Sequence, residues 1–295
     1  MTISRPTPSP AVRRATRAAR AIAVGVADVR REPDAGSELV TQALMGARAT
    51  ALETVPNGWA RVRLADYEGW VEGGHLATPA RATERLAVVT TPRAPLYARA
   101  SGPATLGEVY ATTVLPLTAA GQRPASGRAR VALPGGRAGW LAGDAITERP
   151  ASAPFPPRGT EAALALARRL LGTPYHWGGV TALGIDCSGL SQLACREGGA
   201  IIPRDADQQY AALPWVVDRA SVRAGDLVYF ASGGAITHVG LALDNMTLLH
   251  ASGFGERVII TSLDPAEGAY SAKLAGMYAG ARRPFPDEPD AGGAR

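Results

Sequence analysis

The sequence predicts an α+β protein in which small β-barrels precede a larger domain of helices packed on an antiparallel sheet. From Ala21 to about Thr78, short apolar segments alternate with turn residues, which is typical of a small barrel. After a proline-rich segment, two helical patterns come before a series of strands, which favours a helix layer on an antiparallel sheet. The 295 residues are enough for several domains.

The composition is that of a globular protein, with 46% hydrophobic and 19% charged residues. The formal net charge is +5, but the basic residues are scattered, apart from an arm at Arg13, Arg14, Arg17 and Arg20. Because no basic stripe is interleaved with aromatic residues, we expect no nucleic-acid partner. No apolar run approaches the ~20 residues of a membrane span, so we expect no membrane partner, and no obligate protein partner is indicated.

The two cysteines, Cys187 and Cys195, indicate a reducing compartment. On one helix they would lie roughly 12 Å apart, whereas a disulfide needs Cα atoms within about 7 Å. The only apolar stretch near the start, Ala21 to Ala27, is too short for a signal peptide. We therefore expect a cytoplasmic protein, with export by an unrecognised route as the alternative.

The N-terminal part of the sequence is predicted to form an arm and two barrels. Residues 1–19 are predicted to be a disordered arm, residues 20–80 a first barrel and residues 83–148 a second, diverged barrel. The second barrel rests on a repeat, since the Gly-Trp of residues 67–71 recurs in residues 137–141. The strands predicted in the first barrel are Ala21–Val29, Ala49–Glu53, Trp59–Leu64 and Gly69–Val71. Turns are predicted at Asn57-Gly58 and from Asp66 to Gly69.

The remaining chain is predicted as a stiff proline-rich linker, residues 149–158, a domain over residues 159–284 and a disordered tail, residues 285–295. Thr160 is predicted to cap a helix that ends near Gly172. Asp186 is predicted to cap a second helix from Cys187 to about Glu197. The strands expected to follow are Asp226–Ala231, Thr237–Leu243, Thr247–Ala251, Val258–Ser262 and Leu274–Ala281.

Cys187 is the strongest candidate for a catalytic residue. At a helix N-terminus its pKa would be lowered, and the free N–H groups there would stabilise an oxyanion. The alternative is a small buried hydrophobic residue, which is the role we expect for Cys195. A thiol nucleophile needs a base and the base needs an orienting partner, and two strand-like segments carry His238 and His250.

Hairpin geometry decides whether the two histidines can meet. A three-residue loop at Leu243-Asp244-Asn245 would place His238 directly opposite His250, whereas a two-residue turn would put them on opposite faces. The other two histidines, His75 and His176, are expected to be non-catalytic.

Six motifs in order resemble the NlpC-type cell-wall cysteine peptidases, which have a papain-like fold. The resemblance covers residues 160–283 of the chain. The motifs are Pro-Tyr-x-Trp-Gly-Gly (174–179), Asp-Cys-Ser-Gly-Leu (186–190), Pro-Arg-Asp-Ala-x-x-Gln (203–209), Gly-Asp-Leu-Val-x-Phe (225–230), His-Val-Gly (238–240) and His-Ala (250–251). The resemblance implies that Cys187 is the nucleophile, His238 the general base and acid, and His250 the orienting residue. It implies that Tyr175 supports the oxyanion, and that neither a metal nor an organic cofactor is needed.

The two preceding barrels resemble bacterial SH3-like domains of the subgroup that cleaves murein peptides after γ-D-glutamate. The resemblance implies that Asp186 and Ser188 shape the pocket, with capping as the rival role for Asp186. It also implies that Tyr67 and Asp205 bind the free amine of an N-terminal L-Ala, and that Arg204 binds a carboxylate or braces the site.

The chain departs from that subgroup at one point. Where the subgroup has Tyr-Gly-Glu in the first barrel, this chain has Met45-Gly46-Ala47, so Asp66 or Glu68 would have to supply the carboxylate.

The expected function is hydrolysis of murein peptides at the γ-D-glutamyl–diamino acid bond, during recycling of wall peptides. The alternatives are a secreted lysin that acts on intact peptidoglycan, amidase or transferase chemistry on the same triad, and an inactive binding module.

Overall fold

The computed structural model describes residues 17–118 and 127–286, and it confirms the predicted α+β class. Most of the predicted arm and tail lies outside the described residues. For the described residues, the prediction of disorder is wrong at both ends of the chain, because Ala18 and Ala19 belong to a strand and Phe285 packs in the core. The Phe285 ring lies so close to Gly198 that a Cβ there would meet it, so apolar packing orders this end of the chain.

The first β unit is one antiparallel sheet around an apolar core. Its strands are β1 (Ala18–Ile22), β2 (Val26–Arg30), β3 (Leu39–Leu44), β4 (Arg48–Thr54), β5 (Trp59–Arg63), β6 (Glu68–Glu72) and β7 (Leu76–Ala77). They lie in the sheet in the order β3-β2-β6-β5-β4-β1-β7. The predicted strand Ala21–Val29 is in fact two strands, because Ile22 pairs with Leu76 whereas Val26 pairs with Leu44 on the other side of the sheet. Strand β3 was not predicted.

The second β unit has its own apolar core between a four-stranded and a three-stranded sheet. The Gly-Trp repeat has the same packing role in both units. A Cβ on Gly69 would lie 2.7 Å from the Val29 side chain, and one on Gly139 would lie 2.7 Å from Leu96. The strands are β8 (Arg85–Val89), β9 (Arg93–Tyr97), β10 (Thr105–Tyr110), β11 (Val114–Pro116), β12 (Arg128–Leu133), β13 (Arg137–Ala142) and β14 (Ile146–Pro150).

The segment predicted as a linker is anchored to the last domain. Its first two residues belong to β14, so the irregular segment begins later than predicted. Arg149 donates to Glu197 Oε1 at 2.7 Å, and Arg158 donates to the same carboxylate oxygen. Because the buried Glu197 lies on a helix of the last domain, these ion pairs attach the segment at both ends.

The last domain packs helices against a six-stranded antiparallel sheet. Its helices are α1 (Gly159–Arg169), α2 (Cys187–Gly198), α3 (Ala206–Ala212) and α4 (Ala272–Met277). Its strands are β15 (Val180–Thr181), β16 (Gly184–Ile185), β17 (Val216–Val217), β18 (Leu227–Ser232), β19 (Ala235–Ala242), β20 (Thr247–Ser252), β21 (Arg257–Ser262) and β22 (Tyr278–Arg282). The six-stranded sheet has the order β17-β22-β18-β19-β20-β21, and β15 pairs only with β16.

Two predictions in this domain need correction, and one helix was missed. The first helix begins at Gly159, so Thr160 lies inside its first turn and is not its N-cap. The predicted strand Leu274–Ala281 begins as α4, where Ser271 caps the helix by accepting from the Leu274 N–H at 3.3 Å. Helix α3 was not predicted. No helix in the described ranges combines the length and hydropathy that a bilayer crossing requires.

Candidate active site

Helix α2 places Cys187 at its first position, as the sequence predicts. Asp186 caps the helix, because its Oδ1 accepts from the Gly189 N–H at 2.7 Å, and Gly199 ends it in the left-handed conformation at φ 94°. Cys195 is fully buried on the same helix and packs in the core, and both cysteines are free.

The Cys187 thiol is 8% exposed and keeps its proton in the free enzyme. Burial, and then the charge of Asp186, raise the pKa of Cys187 to about 12, although the N–H groups of Val239 and Ser188 at the sulfur oppose this. The predicted lowering of the pKa by the helix N-terminus is therefore wrong for this structure, because the loss of hydration outweighs the N–H groups.

The two histidines meet, but the hairpin register differs from the prediction. The loop is Asp244-Asn245-Met246, since the Leu243 N–H donates to Thr247 O and Leu241 pairs with Leu249. A Cβ on Gly240 would lie 3.2 Å from His250 Cβ, so Gly240, and not His238, lies opposite His250.

His238 and His250 nonetheless share a face, because the register is shifted by two residues and side chains alternate with a period of two. Their Nε2 and Nδ1 atoms are 2.7 Å apart, and the two rings are nearly perpendicular, at 80°. The hydrogen bond therefore forms between diagonal neighbours across the hairpin.

Thr261 extends this pair on the neighbouring strand β21 and was missed by the sequence reading. His250 Nε2 lies 2.9 Å from Thr261 Oγ1, and both residues are buried. If His250 Nε2–H donates to Thr261, then His250 Nδ1 accepts from His238 Nε2–H, and His238 Nδ1 is free to accept a proton. A threonine in a strand carries no sequence signal that would distinguish this role.

Both imidazoles are neutral near pH 7. Burial lowers the pKa of His238 to about 4, although the Asp186 charge opposes this, and burial together with His238 lowers the pKa of His250 to about 3. In the resting state Cys187 is therefore a thiol and His238 is a neutral imidazole.

A buried network beneath the thiol holds the start of α2 in place. Arg204 binds both Asp186 oxygens, at 3.0 and 2.7 Å, and donates to Ser188 Oγ at 2.8 Å. Asp186 Oδ2 also accepts from the Gly178 N–H at 2.8 Å. Arg204 further donates to Thr41 Oγ1 of the first β unit at 2.9 Å, so the network joins the two units.

Of the two roles expected for Arg204, the structure supports bracing. Arg204 is 1% exposed and its donors are directed at protein acceptors, so the prediction that it binds a substrate carboxylate is wrong. Ser188 and Asp186 belong to the same brace.

Two cavities meet beside the candidate catalytic residues. The first, here called the Cys187 cavity, has a volume of about 380 Å³ and lies between the last domain and the first β unit. Tyr67 and Asp205 both line it, and the Tyr67 hydroxyl donates to Asp205 Oδ2 at 3.3 Å. The structure thus brings together the two residues that were expected to bind an amine.

Glu38 of the first β unit also lines the Cys187 cavity and was missed by the sequence reading. It accepts from Arg31 Nε at 2.7 Å and from Trp177 Nε1 at 3.3 Å. Its segment precedes β3, the strand that the sequence reading left unassigned, so nothing placed Glu38 near the thiol.

Ala47, which stands in place of the missing glutamate, and the two carboxylates considered as substitutes lie elsewhere. Ala47 lines a different cavity, Asp66 accepts from Gln192 Nε2 at 2.9 Å, and Glu68 pairs with Arg61 at 2.6 Å. The structure therefore contradicts compensation by Asp66 or Glu68, because neither carboxylate reaches the Cys187 cavity.

The second cavity, here called the His238 cavity, has a volume of about 700 Å³. His238 and His250 both line it, together with the exposed ring of Phe254. Tyr175 and Thr237 line both cavities and mark their junction. Burial raises the pKa of Tyr175, so its hydroxyl stays protonated and can donate a hydrogen bond there.

The remaining histidines lie outside this site. His75 follows β6 and lies 3.8 Å from Glu72, and neither His75 nor His176 lines either cavity. The arrangement as a whole offers a thiol, a neutral base with an oriented tautomer, and helix N–H groups, which together suit acyl transfer through a thioester.

Comparison with known proteins agrees with this chemistry. Residues 172–276 match the NlpC/P60 family, and residues 29–76 match the bacterial dipeptidyl-peptidase SH3 domain. The chain is 28% identical over 266 residues to a gamma-D-glutamyl-L-lysine dipeptidyl-peptidase of Bacillus cereus, covering 85% of this chain and 76% of the relative. It is 28% identical over 271 residues to dipeptidyl-peptidase 6 of Lysinibacillus sphaericus, covering 85% and 93% of the two chains.

A solved structure extends the match across the whole fold. A crystal structure of an NlpC/P60 family protein from Bacillus cereus superposes with a TM-score of 0.79 at 25% identity, and it covers 91% of this chain and 100% of that one. The similarity therefore includes the N-terminal β units as well as the domain that carries Cys187.

Proposed function

Since the chain is a cysteine peptidase of the NlpC/P60 family with an N-terminal bacterial SH3 domain, we propose that it hydrolyses small peptidoglycan peptides at the γ-D-glutamyl–diamino acid bond. The relatives from Bacillus cereus and Lysinibacillus sphaericus are named as dipeptidyl-peptidases. The observation that carries the proposal is the Cys187 cavity, which Cys187, Tyr67, Asp205 and Glu38 all line.

The Cys187 cavity suits a short acyl group that ends in an ammonium. Tyr67 and Glu38 come from the first β unit, which forms one wall of the cavity, and the volume of about 380 Å³ has room for about a dipeptide. Asp205 supplies a carboxylate and Tyr67 a phenolic oxygen that can accept from an amine. A free N-terminal L-Ala would place its ammonium there while the γ-carbonyl of D-Glu lies at the sulfur.

Acylation begins with proton transfer from the thiol. The Cys187 sulfur attacks the γ-carbonyl carbon as its proton passes to His238 Nδ1, the ring nitrogen that the bond to His250 leaves available. The N–H groups at the start of α2 and the Tyr175 hydroxyl stabilise the oxyanion. The imidazolium then gives its proton to the leaving amine, and the C–N bond breaks to leave a thioester.

Deacylation returns the enzyme to its starting state. A water molecule gives a proton to His238 Nδ1 as its oxygen attacks the thioester carbonyl, and the C–S bond breaks with return of that proton to sulfur. The product would be L-Ala-γ-D-Glu.

We place this activity in the recycling of wall peptides in the cytoplasm. The support is chemical: both thiols are free, and Cys187 must be reduced to act. Fractionation of producing cells tests the compartment, and recovery mainly outside the cytoplasm would contradict it.

The first experiment compares L-Ala-γ-D-Glu-diaminopimelate with its N-acetylated form, with products followed by mass spectrometry and Cys187→Ala as the inactive control. We expect cleavage of the free-amine peptide alone. The matched variants Tyr67→Phe and Asp205→Asn keep side-chain size, and Asp205→Asn should weaken discrimination against the acetylated peptide. Cleavage of both peptides by the wild type would indicate an open groove and a lysin, and cleavage of neither would contradict the proposal.

A further inference from the structure

The two cavities that meet at the catalytic residues carry opposite charge. The Cys187 cavity is lined by four carboxylates and one guanidinium: Glu38, Asp186, Asp205, Asp207 and Arg31. Arg31 pairs with Glu38 and the buried Arg204 pairs with Asp186, so the negative charge of the cavity comes from Asp205 and Asp207. The described residues that line the His238 cavity include no carboxylate, and their one permanent cation is Lys273.

Lys273 is exposed, and its ammonium stands at the rim of the His238 cavity, 3.6 Å from the centroid of the Phe254 ring. Phe254 is 80% exposed, so the cation and the ring form a surface that is open to a ligand. Lys273 makes no ion pair with any described residue, which leaves its charge uncompensated within residues 17–118 and 127–286.

The reaction determines which cavity holds the acyl group of a substrate and which holds its leaving group. The acyl group becomes bound to Cys187 and must occupy the cavity that the thiol lines. The leaving amine takes its proton from His238, so the group attached to that amine must occupy the His238 cavity. The leaving group therefore meets a cation and two aromatic side chains, Phe254 and Tyr270.

We propose that the His238 cavity is the leaving-group site and that Lys273 there binds a free carboxylate carried by the departing diamino acid. This inference rests on the proposed function and names the chemistry of its second subsite. A peptide with an ammonium at its acyl end and a carboxylate just beyond the scissile bond matches the charge of both cavities. Lys273 is a specificity-determining residue here, with no role in proton transfer.

The carboxylate has two possible sources, and three peptides separate them. L-Ala-γ-D-Glu-L-Lys carries only the α-carboxylate on its leaving group, its C-terminal amide carries none, and the α-amide of L-Ala-γ-D-Glu-diaminopimelate carries only the side-chain carboxylate. The measurement is kcat/KM of each peptide for the wild type, Lys273→Met and Lys273→Arg. Arg219→Met is the matched control, since Arg219 stacks on Tyr278 at 4.8 Å and does not line the cavity.

We expect the wild type to prefer at least one carboxylate peptide over the lysine amide by about threefold to fivefold, the effect of a solvent-exposed ion pair. The preference should fall toward one in Lys273→Met and persist in Lys273→Arg and Arg219→Met. Preference for the first peptide identifies the α-carboxylate, and preference for the third identifies the side-chain carboxylate.

Two results would overturn the inference while leaving the proposed function intact: equal kcat/KM for all three peptides in the wild type, or a preference that Lys273→Met leaves unchanged. Failure of the wild type to cleave any of the three peptides would instead contradict the proposed function, and the inference with it.

Discussion

His238 should stay neutral far below the pH at which an ordinary histidine takes up a proton. Burial lowers its pKa from 6.5 to about 4. At pH 5.5 an imidazole with a pKa of 6.5 is about 90% charged, whereas one with a pKa of 4 is about 3% charged. His238 should therefore still act as a base at pH 5.5.

NMR titration of the imidazole carbon and proton shifts measures this directly. The chain has four histidines, so His→Gln variants at His75, His176 and His250 assign those three signals and leave the fourth to His238. We expect the His238 signal to titrate near pH 4 in the folded protein. A midpoint between pH 6 and 7 would refute the reasoning, because it would mean that burial does not control the charge of this ring.

The same shift predicts how folding stability depends on pH. The unfolded chain binds the His238 proton at pH 6.5 and the folded chain only near pH 4, so the unfolded state takes up more protons between these values. The free energy of unfolding should therefore be unaffected by His238 above pH 6.5 and fall as the pH is lowered from 6.5 to about 4. The 2.5-unit difference corresponds to a loss of about 3 kcal/mol from this residue.

Urea unfolding of the wild type and His238→Gln at pH 7.5, 5.5 and 4.5 tests the stability effect. The wild type should lose stability more steeply than the variant across this range. Equal pH dependence of the two proteins would contradict the assignment.

Two further substitutions test the parts that hold the site. Arg204→Met should lower the free energy of unfolding by about 3–5 kcal/mol in urea titrations, because it leaves the buried Asp186 carboxylate without its cation. An effect below 1 kcal/mol would show that water reaches this network. Thr261→Val should lower kcat about tenfold with little change in KM, because His250 loses the acceptor that sets its tautomer. Thr261→Ser should restore most of the rate, and an inactive Thr261→Ser variant would contradict the tautomer argument.

The positions of the candidate catalytic residues could be predicted because their signals are local. Asp186, Cys187 and Gly199 define a capped helix by their order alone, and the structure has this helix as predicted. The prediction that His238 and His250 share a face is correct although the predicted register was wrong by two residues, because side chains in a strand alternate with a period of two.

The pKa of Cys187 could not be predicted in the same way. The sequence shows the helix N-terminus, which lowers a thiol pKa, but the opposing desolvation depends on packing around the sulfur. The sequence could not decide between the two roles of Arg204 for the same reason. Only its burial between Asp186 and Thr41 shows that it braces the site and does not bind substrate.

The sequence by itself determined the fold class and identified the candidate catalytic residues, because capping residues, strand periodicity and ordered motifs act over short stretches of chain. Only the tertiary structure decided what surrounds the thiol. Glu38 and Tyr67 belong to a different β unit from Cys187, and their meeting in one cavity depends on how the units pack. The role inferred for Lys273 likewise depends on the tertiary structure, because charge complementarity depends on which cavity the ammonium lines.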